Sequence, residues 1–193
     1  MSAEFKLRGG GSAHDTAPAS TCSFARRYDG VRGQRPSSRT AFRAGQYTGG
    51  VRVLFLDIDG VLNRTAFHPG VSVGLRSWIE PELAQRLCEV IRVIKAEIVL
   101  ASDWRRGREL EHLRDELRAA GIDGNLIGST PILGGSRWRE IEAWRVQHEL
   151  TLEDIVIIDD GYDMGPLASR FVRISPLNGL DEIAVRAIVS LFP

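Results

Sequence analysis

Apolar positions along this chain change their rhythm near residue 51. Before it, residues 1–50 show no sustained period, and Gly, Ser, Ala and Arg dominate. After it, short apolar runs alternate with amphipathic segments. Val51-Arg52-Val53-Leu54-Phe55-Leu56 is mostly branched or aromatic, as in a strand buried on both faces. A helix is predicted from Pro81, with Leu83, Leu87, Ile91 and Ile94 as its stripe and Ala84 and Cys88 beside it. Residues 97–101 read as a second strand. Leu110, Leu113, Leu117 and Ala120 mark a second helix, which Gly121 closes in the left-handed conformation. Residues 125–127 form a short third strand, and Ser136 is the expected N-cap of a helix bearing Trp138, Ile141 and Trp144. Residues 155–158 and 171–174 are two more strands, and 180–192 a final helix. This alternation predicts an α/β domain over residues 51–193, with a central parallel sheet of about five strands and helices on both faces. Ligands in such folds gather outside the carboxyl ends of the strands.

Composition narrows the picture. The chain has 193 residues and 43% hydrophobic content, room for one substantial core beyond the N-terminal stretch. Charge balances overall but not locally. Residues 1–50 hold eight Lys or Arg against three acids, whereas residues 51–193 hold 17 against 22. A basic segment without apolar periodicity cannot offset its ordering entropy, so residues 1–50 are expected to be a disordered tail. A nucleic-acid-binding arm and a transit segment are the alternatives. No run approaches the roughly 18 apolar residues of a membrane helix, so no membrane partner is expected. Cys22 and Cys88 occupy unlike settings, which argues against a disulfide framework and for a reducing, cytoplasmic location with Cys88 buried. Nothing in the pattern sets an oligomeric state.

Candidate chemistry falls at strand ends and helix starts. Asp57 and Asp59 follow the first strand, and Gly60 permits a sharp turn. Alternation along an extended backbone predicts that both carboxylates share a face. Crowded acids repel unless a cation lies between them, and oxygen donors suit a hard divalent ion. An EF-hand calcium loop is excluded, because Val61 stands where an oxygen ligand is required and no Glu follows at the twelfth place. Ser102 ends the second strand, Arg137 opens a helix, and Asp159-Asp160 ends the fourth strand. No His or Cys spacing suggests zinc, and His112 and His148 read as helix-surface residues.

In order, D-x-D-G-V-L-N from Asp57, S-x-W-R at Ser102–Arg105, R-x-x-E-I-x-x-W at Arg137–Trp144 and I-D-D at Ile158–Asp160 resemble the four motifs of the haloacid dehalogenase-like (HAD) superfamily of phosphatases. The resemblance covers essentially all of residues 51–193. More narrowly, it is to a capless branch whose members occur as domains of bacterial "Swiss Army knife" RNA-repair proteins. It implies a Rossmann-like HAD fold without a cap domain, and a Mg2+-dependent phosphomonoesterase with an aspartyl-phosphate intermediate. Asp57 would be the nucleophile and Asp59 the general acid–base. Mg2+ would be held by Asp57, by Asp59 through its backbone carbonyl, and by Asp159 or Asp160, between which spacing does not choose. Ser102, Arg137, Arg105 and Asn63 would face the phosphate. Most of the superfamily has Lys at the third motif; here it is Arg, with Arg139 competing with Arg137. Asp163 would support the site from its loop. Asp103 departs from the pattern, and its side chain is expected to turn away and pair with Arg105 or Arg106.

The intervals between motifs leave little room for an inserted lid. An open site suits a phosphate at the end of something large, such as a nucleic acid or a protein, whereas small substrates usually want enclosure; the expected substrates are polynucleotide ends or nucleotides. The competing expectation is a non-catalytic HAD-fold binding domain, against which the intact Asp57 and Asp59 argue. A signalling receiver is disfavoured because its acceptor Asp lies on a middle strand, where this chain has Ser102. Trp104, Trp138 and Trp144 are expected to pack, and Arg64 and His68 either to touch substrate or to line a solvated loop.

Overall fold

Five runs of β-branched and apolar residues form β1 (Arg52–Leu56), β2 (Ala96–Leu100), β3 (Leu126–Ser129), β4 (Ile155–Asp159) and β5 (Phe171–Arg173). They pair as one parallel sheet in the order β3-β2-β1-β4-β5. Helices α1 (Pro81–Ile94), α2 (Leu110–Ala119), α3 (Arg137–Gln147) and α4 (Glu182–Ser190) cover it, with two 3-10 segments at Asp103–Arg105 and Gly165–Arg170. The computed structural model describes residues 50–67, 78–161 and 163–192. The expected tail up to residue 49, Cys22 and His68 lie outside them. No described helix is long and apolar enough to cross a membrane.

Side-chain alternation divides the core into two. Leu54, Leu56, Ile98, Leu100, Val156 and Ile158 face α1, α2 and α4. Val53, Phe55, Val99, Ile155 and Ile157 face α3, where Ile141 and Trp144 are buried, together with Leu167 of the second 3-10 segment. Phe55 and Trp144 meet edge to face, centroids 5.6 Å apart. Continuing the odd positions of β1 and β4 past these contacts brings Asp57 and Asp159 to the same face. Val53 pairs with Ile155 and Phe55 with Ile157, so the two acids arrive side by side. The chain order reverses at β1, where crossovers run first toward β3 and then toward β5. The crevice at β1 and β4 is the switch point at which such sheets bind ligands.

Most helix signals are met. Pro81 occupies the first turn of α1, and Gly121 follows α2 at φ +89°. The Cys88 thiol is buried and donates to the Gly121 carbonyl at 3.4 Å. Two expectations are corrected. Ser136 stands at the N-cap of α3, but its side chain makes no capping hydrogen bond. His148 is not on the surface: it is buried, stacked on Trp144 at 3.6 Å, its Nδ1 2.7 Å from the Trp144 carbonyl oxygen. One helical turn separates the two rings, so the imidazole covers the indole.

Arg105 is also corrected, from phosphate ligand to internal clamp. Only 4% exposed, it donates to the carbonyls of Thr130 (3.0 Å), Ala101 (3.0 Å) and Ser102 (2.7 Å) and pairs with buried Glu140 of α3. Glu140 accepts in addition from the Leu133 N–H at 3.0 Å. The guanidinium therefore ties the end of β2 and the loop after β3 to the helix that carries Arg137. Removing one partner leaves a buried charge unpaired. Arg105→Met is expected to lower unfolding stability by about 3–5 kcal/mol in denaturant titration, and adding Glu140→Leu should recover part of it. A loss near zero would contradict the clamp.

Candidate active site

The site begins where β1 runs out. β1 ends at Leu56, and the Asp57 N–H still donates to the Ile158 carbonyl at 3.1 Å, carrying the pairing one residue further. The chain then turns, with Val61 N–H and Leu62 N–H both directed at the Ile58 carbonyl, at 3.2 and 2.8 Å. Alternation therefore stops after Asp57, and the shared face expected for Asp57 and Asp59 is corrected. Asp57 is buried while Asp59 is exposed. Gly60 makes the turn at φ +74°, and any Cβ there would collide with the Asp160 carboxylate.

Asp57, Asp159 and Asp160 each bring a carboxylate oxygen into a cluster within 4.8 Å of one another. Arg137, at the first position of α3, reaches into it because α3 covers the face that Asp57 and Asp159 share. Its Nη1 lies 2.9 Å from Asp57 Oδ2 and 3.2 Å from Asp159 Oδ2. Burial alone would depress the guanidinium pKa, but the charges of Asp57 and Asp159 outweigh it and the net shift is upward. Arg139 instead lies over the Trp138 ring, 5.3 Å from its centroid. Arg137, not Arg139, is thus the cation among the acids.

One cation does not satisfy three carboxylates. Asp159 Oδ1 accepts from the Gly161 N–H at 2.7 Å, but its buried Oδ2 has no hydrogen-bond partner; Arg137 Nη1 is close enough to pair but not aligned to donate. Burial, then the Asp57 charge, pushes the Asp159 pKa up to about 6. The same two causes raise Asp160. A buried, unpartnered oxygen beside two further acids is short of positive charge, and the donor set is all oxygen. These residues fit a hard divalent ion such as Mg2+.

The Asp59 carboxylate stands outside that cluster. Its Oδ1 accepts from Asn63 Nδ2 at 3.0 Å and its Oδ2 from Trp104 Nε1 at 3.0 Å. Asn63 is only 7% exposed and also accepts from the Gly60 N–H at 2.9 Å. It braces the turn and orients Asp59. Ser102 is fully buried, and its Oγ accepts from the Trp104 N–H at 3.4 Å, starting the 3-10 segment. Asp103 turns outward as expected, paired with Arg106 Nε at 2.9 Å, which holds its carboxyl below the usual range. Asp163 accepts from the Gly165 N–H at 2.8 Å and shapes the turn after β4. Arg64 pairs with buried Glu80, its N–H donating to Glu80 Oε1 at 2.7 Å.

The sequence reading missed Trp104 as a polar contact, and it named Glu140 only as a position of the third motif, without a role. Trp104 did carry a signal, standing two residues after Ser102 at a strand end. For Glu140 nothing local shows that it pairs with Arg105, 35 residues away in the chain.

Residues 53–185 match the family model described as "HAD domain in Swiss Army Knife RNA repair proteins". No curated protein matches the chain.

Two outcomes follow from this geometry. Asp159→Asn relieves like-charge crowding and should raise the melting temperature of metal-free protein by a few degrees, while removing most of the stabilisation that Mg2+ confers on the wild type. An ion at ten times its dissociation constant contributes about 1.4 kcal/mol, enough to read by thermal melting; absence of any Mg2+ effect on the wild type would count against the metal site. Gly60→Ala forces a strained φ costing about 1–2 kcal/mol and a clash with Asp160, so both stability and metal affinity should fall.

Proposed function

The chain belongs to the family of HAD domains in Swiss Army Knife RNA repair proteins, and on that premise we propose that it is a Mg2+-dependent phosphomonoesterase acting on polynucleotide ends or nucleotides. The observation that carries the proposal is the convergence of Asp57, Asp159 and Asp160 with Arg137 around a buried carboxylate oxygen that lacks a hydrogen-bond donor.

In this reading Asp57 attacks phosphorus, forming the bond from its carboxylate oxygen as the bond to the leaving oxygen breaks. Asp59 gives the departing oxygen a proton and later takes one from the water that hydrolyses the aspartyl-phosphate, releasing inorganic phosphate and restoring Asp57. Arg137 neutralises charge on the equatorial phosphoryl oxygens. Asp57, Asp159 and Asp160 would hold Mg2+, which when bound screens the acids from an incoming phosphate and polarises its oxygens. Asp59 would contribute only its backbone carbonyl, its carboxylate being held elsewhere by Trp104 and Asn63.

The substrate class draws on the family's description and on the short intervals between the motifs, which leave little room for an inserted lid. An uncovered site admits a phosphate carried by something large. We further take residues 51–193 as the catalytic domain, residues 1–50 as a tail, and a reducing cytoplasm as its setting. Asp57→Asn is expected to reduce phosphate release in Mg2+ by at least about 1,000-fold, since it removes the attacking oxygen. A colorimetric phosphate assay on 3′- and 5′-phosphorylated oligonucleotides and on mononucleotides reads this directly. Turnover unchanged in the variant would reject the assignment.

A further inference from the structure

We propose that Trp104 is a positioning residue for the general acid–base, aiming the Asp59 carboxylate through its indole N–H; this rests on the phosphomonoesterase reading above. Asp59 is exposed, so an oxygen donor or water could compete for it freely. What makes the indole contact persistent is the way the ring is held. Trp104 packs against the core beneath α1 and α2. The Arg108 guanidinium lies over the ring, 4.6 Å from its centroid, and is itself tied to Glu116 of α2. Trp78 approaches from another side, with centroids 6.4 Å apart. A side chain fixed on several sides presents its one donor in a fixed direction, and that donor lies 3.0 Å from Asp59 Oδ2.

The opposite oxygen is held by Asn63 at 3.0 Å. Two donors on two oxygens determine the plane of a carboxylate as well as its place. Each oxygen keeps a further lone pair, so the group can still carry a proton toward a leaving oxygen. The two donors come from different parts of the chain: Asn63 from the turn after β1, Trp104 from the 3-10 segment after β2. Asp59 is therefore held both by its own turn after β1 and by the segment after β2. Proton transfer requires this kind of alignment, because a general acid contributes only when it lies within hydrogen-bond reach of the departing atom.

The test uses the leaving group. A nitrophenolate departs without protonation, whereas a ribose alkoxide needs it. The parameter kcat/KM covers events up to departure of the leaving group, whichever later step limits turnover. Trp104→Phe keeps the ring and deletes the N–H. In the full chain with Mg2+, kcat/KM for a mononucleotide should fall at least about tenfold, while that for p-nitrophenyl phosphate stays within about twofold. The inhibition constant for inorganic phosphate should not change. Arg108→Met, which uncovers the ring without touching Asp59, should give a smaller loss with the same selectivity, and it stands in if Trp104→Phe does not fold. An equal fall for both esters, or none for either, overturns the proposal. Wild-type protein inactive on both esters, or an active Asp57→Asn, would instead overturn the phosphomonoesterase reading itself.

Discussion

Three carboxylates held within a few ångströms of one another, two of them buried and the third partly so, are the constraint on which the rest of this structure depends. Such an arrangement is unfavourable by itself, since burial and mutual repulsion both oppose ionisation. The protein answers part of the charge with Arg137, delivered by the first turn of α3, and fastens that helix to the sheet through Arg105 and Glu140. The unpartnered Asp159 oxygen marks what remains unanswered. Stability is given up at the crevice and supplied by the two apolar layers on either side of it, as expected where strain coincides with function.

The two acids of the D-x-D-G motif are separated by environment. Asp57 is buried against Arg137, and its N–H continues the sheet. Asp59, two residues later, has left the sheet and is exposed, steered by donors from two loops. In the proposed mechanism the nucleophile has to be fixed near the cation, and the proton carrier needs access to the leaving group and to water. One turn at Gly60, which admits the Asp160 carboxylate close to its backbone, produces both conditions. Asn63 shapes this turn, and buried Arg105 anchors the loops beside it.

Periodicity made most of the fold legible in advance. The runs at β1, β2 and β4 are apolar apart from Arg52, Glu97 and Asp159 because helices cover both faces, and that composition survives any detail of packing. Helix stripes at α1 and α2 were equally clear. α3 was harder, since Trp138, Ile141 and Trp144 are its few apolar anchors among charged residues. The 3-10 segments went unread because runs of three and six residues are too short to show a period.

Sequence by itself determined the layered parallel sheet, the placement of Asp57 and Asp159 at its carboxyl edge, and the family to which the motifs belong. Those features follow from local pattern: alternation, helix spacing and strand order leave few other solutions. Tertiary structure alone decided that Arg137 enters the acid cluster while Arg139 turns onto Trp138, that Arg105 faces inward, and that Trp104 reaches Asp59. Each of these depends on which groups from distant parts of the chain lie within about 3–5 Å, the range over which charges pair and donors find acceptors, and no local spacing encodes that meeting.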